Sequence, residues 1–287
     1  MSVAAGTVRG VMMDEFLALE PQKVETWSTG IAELDELVGG GFSGGRLWVL
    51  TGAPTSGKST LLNQFVFTLG VRHHRVVDYF GSRSDHPDLI RARLRSLAVG
   101  CPPAPGTLVV PPREGDARAA AELEALRSSR ITVFTGGGFV IEALGHSVVP
   151  GRCLVIDDPE GKRPPVLARE ARGDLRATAD RGDLVLVTVP RSLCFERVLN
   201  SLVGTPTEVT SPRERLREEW ASVADAIIEI APTSVWDSSL HLWQNRWGPQ
   251  GYVNVTYEGR RSRFAGLRAE VSPWEATGVP GDDIQNP

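Results

Sequence analysis

Lys58 sits between a glycine and a serine, at the end of Gly52-Ala53-Pro54-Thr55-Ser56-Gly57-Lys58-Ser59. Every fixed position of the phosphate-binding pattern G-x-x-x-x-G-K-[ST] is filled. The glycines let backbone N–H groups curl around phosphate oxygens, the lysine neutralises β- and γ-phosphate charge, and the serine hydroxyl can ligate Mg²⁺. Candidate nucleotide contacts are therefore Gly52, Ala53, Pro54, Thr55, Ser56, Gly57, Lys58, Ser59 and Thr60. Lysine occurs only at Lys23, Lys58 and Lys162, so one of three sits in this loop, which sharpens the assignment. A second chemistry lies about a hundred residues downstream, where Arg152-Cys153-Leu154-Val155-Ile156 runs into Asp157 and Asp158. A buried apolar strand ending in acids is what a phosphate-loop nucleotide enzyme uses to hold its Mg²⁺ shell. By itself such a segment also fits a strand that ends in a solvated acidic turn.

These groups need scaffolding. Residues 46–51 read as a short buried strand and 59–66 as a helix with apolar spacing, which sets the phosphates at a helix N-terminus. Upstream, Ser28 or Thr29 is suited to cap a helix over 31–38 that Gly39-Gly40-Gly41 ends. Downstream, the pattern predicts strands at 75–80, 131–134, 152–158, 183–189 and 224–230. It predicts helices at 87–98, begun by Asp85 and a first-turn proline, at 116–127 and at 165–181. A helical turn is expected at 139–144. Residues 101–115 read as a surface connection and 191–219 as loop-rich. Two last strands, 238–243 and 251–257, read as an antiparallel pair. The alternation implies an α/β fold with a mainly parallel twisted sheet, helices on both faces and a C-terminal antiparallel hairpin. Residues 1–25 are expected to be an arm, with a short helix over 8–20, residues 26–268 the domain, and 269–287 a disordered tail.

Composition limits the classes. The chain has 287 residues, 41% hydrophobic, with net charge -4, which argues against a generally basic nucleic-acid coat but not against a local basic loop. Cys101, Cys153 and Cys194 are far apart and the histidines lack metal spacing, as expected of thiols in a reducing cytoplasm. No apolar run approaches the roughly 18 residues of a membrane span. No secretory leader is evident.

The stretch STGIAELDELVGGGFSGGRLWVLTGAPTSGKSTLLNQF, residues 28–65, resembles the ATPase domain of DnaB-type replicative helicases, within the RecA-like P-loop superfamily. The same opening occurs in the RadA and KaiC branches. Three later segments resemble the helicase branch: 77–84; Arg217-Glu218 with Ala224-Asp225-Ala226-Ile227-Ile228, like the family's "LRES … DAD" run; and Trp243-Gln244-Asn245-Arg246-Trp247-Gly248-Pro249-Gln250-Gly251, like its "KQRNGPTG" finger hairpin. The resemblance covers roughly 27–267, without the family's N-terminal primase-interacting domain. It implies that Lys58 and Ser59 bind ATP and Mg²⁺, that Asp157 is the Walker B acid, and that Arg246 is an arginine finger reaching the nucleotide of the adjacent subunit. It further implies a homo-oligomeric ring, a hexamer, that moves on single-stranded DNA among other replication proteins. Three positions depart from the family. Its water-polarising glutamate falls on Arg83, its lysine before the finger arginine on Gln244, and its sensor glutamine on Val189. Guanidinium stays protonated and cannot serve as a base, so Asp158, or Asp85, is the nearest replacement. DNA contacts would come from 159–165 and from the 191–219 loop, where Arg191, Arg197, Arg213, Arg215 and Arg217 are diluted by glutamates. The competing reading is a degenerate nucleotide-binding adaptor; a KaiC- or RadA-like ATPase is a third.

Overall fold

The apolar run Leu47 to Leu50 becomes the centre of a nine-stranded sheet. The computed structural model describes Met13 and residues 24–82, 86–102, 116–135, 151–157, 165–190, 212–259 and 262–270. In chain order the strands are β1 (Thr26–Trp27), β2 (Phe42–Ser43), β3 (Leu47–Gly52), β4 (Val77–Phe80), β5 (Ile131–Phe134), β6 (Cys153–Asp157), β7 (Leu184–Pro190), β8 (Ala226–Pro232), β9 (Asp237–Asn245), β10 (Gly251–Glu258) and β11 (Arg263–Glu270). The helices are α1 (Ala32–Leu37), α2 (Lys58–Phe67), α3 (Pro87–Val99), α4 (Ala117–Arg127), α5 (Pro165–Asp180) and α6 (Pro212–Ala221), with a π-helical turn, Thr68–Arg72, extending α2. β1 and β2 pair as a small ribbon, and the large sheet runs β11-β10-β9-β8-β3-β7-β6-β4-β5. The six strands from β8 to β5 are parallel. β8, β9, β10 and β11 pair antiparallel in succession.

Both faces of the sheet are covered, as the alternation implies. Trp48 and Leu50 join Leu34, Leu61, Phe65 and Ile90 in one core. Leu47 and Val49 join Leu175, Ala179, Leu216 and Trp220 in the other. A strand covered on both sides has no polar face to offer water, which is why this run lacks the alternation of a half-buried strand.

Four expectations change. Helix α6 occupies the end of the segment read as loop-rich, because Leu216 and Trp220, four apart, share one buried stripe. A third antiparallel strand, β11, runs to Glu270 and enters the stretch read as tail. Neither Ser28 nor Thr29 caps α1: its N-cap is Ile31, without a side-chain cap bond. Both residues instead bind Asp35, whose carboxylate accepts from the Ser28 hydroxyl and, at 2.7 Å, from the Thr29 N–H. Helix α3 is capped by His86, whose Nδ1 accepts from the Asp88 N–H at 3.3 Å. Asp85, the helix 8–20 (Met13 apart) and the turn at 139–144 lie outside the described residues.

Candidate functional site

The parallel strands share one carboxyl end, where open α/β sheets place their ligands. Gly52 ends β3 there, and Asp157 ends β6 two strands away. Leu50 of β3 is level with Thr188 of β7, which is level with Asp157. Asp157 therefore stands two strand spacings, about 10 Å, from β3 and just below the loop.

The loop's conformation requires its glycines. Gly57 has φ +93°, and a Cβ there would lie 2.7 Å from Phe264 Cζ. At Gly52 a Cβ would lie 2.7 Å from the Ile230 carbonyl oxygen and 2.6 Å from Ser56 Oγ. Thr55 is left-handed at φ +66° without being glycine. That costs about 1–2 kcal/mol and is typical of strain held at a binding loop. Lys58 is the first residue of α2, and its ammonium donates to the Gly52 and Ala53 carbonyls at 3.0 and 2.8 Å. The side chain thus spans the loop's mouth. Lys58, Ser59 and Thr60 stand in the first turn of α2, where backbone N–H groups have no intrahelical acceptor and the helix dipole favours an anion.

Asp157 is buried. Its Oδ1 accepts from the Thr188 hydroxyl, while Oδ2 has no partner. Ser56 Oγ and Thr51 Oγ1 are likewise buried without partners. Alternation along β6 sets Asp157 on the face of Cys153 and Val155, the same face against which α2 packs. An unpartnered buried carboxylate oxygen and an anion-favouring helix start, facing one crevice, fit a phosphate group with a divalent cation.

The wall beside the loop comes from residues that the motif does not include. Gln64 of α2 donates to the Phe264 carbonyl at 3.0 Å and accepts from its N–H at 2.8 Å, tying β11 to the loop helix. Thr188, which touches the acid, is one residue before Val189; Val189 faces the opposite core. A lone hydroxyl in the apolar run LVLVTVP was the available signal for Thr188. Nothing local marked Phe264 or Gln64.

Arg246 lies at the other end of the sheet. β9 runs antiparallel to β8, so Asn245 is level with Ala226, which is level with Trp48 near the start of β3. The arginine donates to the Ala221 and Ser222 carbonyls at 3.1 and 2.9 Å, at the end of α6. Gln244 donates to the Ala221 and Ala224 carbonyls at 3.1 and 2.6 Å. Beneath them Asp225 is buried, accepting from Arg176 at 2.6 Å and from the Leu47 N–H at 2.8 Å. Burial opposes the charge on Arg176, but hydrogen bonds to Asp225 and Asp180 outweigh it and raise its pKa. Arg83, Asp85, Asp158 and the segments 159–164 and 191–211 lie outside the described residues. Of the arginines expected to meet DNA, Arg213, Arg215 and Arg217 fall on α6, and Arg217 is exposed.

The fold is similar to that of RecA-like ATPase domains, and residues 52–59 fit the phosphate-loop pattern. A family model described as the KaiC ATPase matches residues 27–93. The DNA repair protein RadA of Brucella abortus (strain 2308) is 40% identical over 72 residues, which span 25% of this chain and 15% of that protein. The ATPase domain of G40P superposes with TM-score 0.61 at 16% identity, covering 85% of this chain and 92% of that one. A DnaB-like replicative helicase, solved for its interactions with primase, superposes with TM-score 0.60 at 14% identity, covering 89% of this chain and 66% of that one. DnaB-type ATPase domains are thus among the chain's structural relatives.

Proposed function

We propose that the chain is a nucleotide-driven motor that binds ATP with Mg²⁺, assembles head to tail into a hexameric ring, and couples hydrolysis to movement on single-stranded DNA in replication or repair. The observation that carries this reading is the separation of two chemistries on one sheet. Phosphate-binding groups stand at the carboxyl ends of the parallel strands, and Arg246 stands at the opposite end. Seven residues of β8 separate the ends, about 20 Å at strand rise. No chain can serve its own loop with that arginine, so a second copy must supply it.

Lys58 and the first-turn N–H groups of α2 hold the phosphates. Ser59 and Asp157 would hold the Mg²⁺, which would supply neutralisation of phosphate charge. Thr188 fixes one oxygen of Asp157 and leaves the other for the metal shell. Arg246 of a neighbouring copy meets the charge that develops on the transferred group. Asp158, directly after the metal acid, is the group left to orient water. Help of that kind is worth about 10²–10⁴ in rate. DNA would follow the basic side chains of 159–165 and 191–219.

The test is phosphate release by the purified chain with and without single-stranded DNA, with ATP binding measured in the same samples. Binding plus DNA-stimulated release is the expected result. No ATP binding, or no assembly beyond a monomer, overturns the reading. One observation favours the adaptor instead: Gln244, at the position of the helicases' lysine, spends its amide on the Ala221 and Ala224 carbonyls. Binding without release would select that reading, and DNA-stimulated release abolished by Lys58→Ala would exclude it.

A further inference from the structure

Two turns carry apolar side chains into solvent. At the β8–β9 turn Val235 is 85% and Trp236 60% exposed; at the β9–β10 turn Trp247 is 63% exposed. Tryptophan is the most expensive side chain to leave in water, and among surface residues it is the one most enriched at binding hot spots. The two tips lie at opposite ends of the sheet. The first follows Pro232, beyond the carboxyl end of β8, on the side where Gly52 abuts Ile230. The second adjoins Arg246.

Both tips are held rigid. At the first, the Ser234 hydroxyl accepts from the Trp236 and Asp237 N–H groups at 3.2 and 2.9 Å, and Ser234 itself donates to the Asp237 carboxylate at 2.9 Å. At the second, Asn245 accepts from the Trp247 N–H and donates to the Pro249 carbonyl, both at 3.1 Å. The Arg46 guanidinium stacks over the Trp247 ring at 5.0 Å and supports one face of it. Ordering a side chain on association costs free energy, and these two turns have already met that cost in the free chain. The helicase hairpin has asparagine after its arginine; here the position is Trp247.

We infer that Trp247 is an intersubunit anchor that docks on the Val235–Trp236 tip of the next copy of this chain. The inference rests on the head-to-tail arrangement proposed above. Two different patches on one chain make a heterologous contact, which closes a ring or extends a filament but cannot close a two-fold dimer. Docking Trp247 at the loop end of a neighbour brings Arg246, the preceding residue, to the same end. The two tryptophans bury about 150–250 Å² each, well short of the roughly 1,200–2,000 Å² of a stable interface, so they act as the hot spot within a larger contact.

Sedimentation velocity of the full chain, with Mg²⁺ and a slowly hydrolysed ATP analogue, tests this. Trp247→Ala and Trp236→Ala should each weaken self-association at least about thirty-fold. Trp247→Asn should do the same with the helicase residue in place. Analogue binding in the same cell reports folding and an intact loop. An equimolar mixture of Trp247→Ala and Trp236→Ala should form dimers and nothing larger, because one good contact remains per pair. Variants that assemble like wild type, a mixture that stays monomeric, or wild type that binds the analogue yet stays monomeric would each overturn the inference. Loss of analogue binding by wild type would instead strike the nucleotide reading.

Discussion

The loop end and the hairpin end of the sheet solve opposite problems with similar side chains. At the loop end, Asp157 Oδ2, Ser56 Oγ and Thr51 Oγ1 are buried and unpartnered. At the hairpin end, Asp225, Arg176, Gln244 and Arg246 are hydrogen-bonded within their own chain. An unsatisfied buried polar atom costs about 1–3 kcal/mol, and a phosphate with its cation would answer those at the loop end. At the hairpin end these charged and amide groups are answered within one chain, although the Trp48 and Trp220 indole N–H groups there are buried without partners. One end is built to receive and the other to be presented.

The sharpest way to break this contrast is to remove the presented group. Arg246→Ala should lower phosphate release about 10³–10⁵-fold, the range for an arginine finger, while ATP affinity stays within a few-fold. Equal losses of both would show that Arg246 serves its own fold and not a neighbour's nucleotide. Lys58→Ala should lower both, with ATP affinity falling and release dropping about 10²–10³-fold, read by equilibrium binding and by turnover. Asp225→Ala tests whether the hairpin end is self-sufficient. It strands the mostly buried Arg176 and the Leu47 N–H and should cost about 3–5 kcal/mol in urea unfolding, with ATP affinity per folded molecule unchanged. An effect under 1 kcal/mol would mean the network adds nothing to the fold.

The smallest effect is one of pH. Cys153 begins β6, at the hairpin side of the sheet, and is fully buried. Burial, with Asp183 and Asp78 adding to it against Arg75, pushes its thiol up to about 12. An unfolded thiol titrates near 8.5. Between about pH 9 and 12 the unfolded chain releases a proton that the folded chain keeps, so stability falls as pH rises, by about 1.4 kcal/mol per unit. Cys153→Ala should remove that slope. Equal slopes in variant and wild type would show that the thiol ionises in the folded chain.

Local chemistry was legible wherever a motif forces a conformation. The phosphate loop, its strand and its helix follow from glycine and lysine spacing, and Asp157 from an apolar run that ends in acid. The parallel order of the central strands follows from their alternation with helices. What stayed hidden depends on partners far along the chain. Phe264 and Gln64 are 200 residues apart and meet only when β11 joins the sheet beside α2. Asp225 reads as one letter of a run, yet its neighbours Leu47 and Arg176 are 178 and 49 residues away. Ser28 and Thr29 looked like caps because a cap is the nearest use for a hydroxyl before a helix, whereas Asp35 reaches back for the Ser28 hydroxyl and the Thr29 N–H.

By itself the sequence singled out the residues proposed to hold phosphate and metal, because that pattern is written in short spacings with backbone constraints. Tertiary structure alone decided that Arg246 stands at the far end from those residues, that Gln244 is spent on the Ala221 and Ala224 carbonyls, and that Trp236 and Trp247 stand in solvent. Strand direction and order set those distances, and pairings between remote segments fix both.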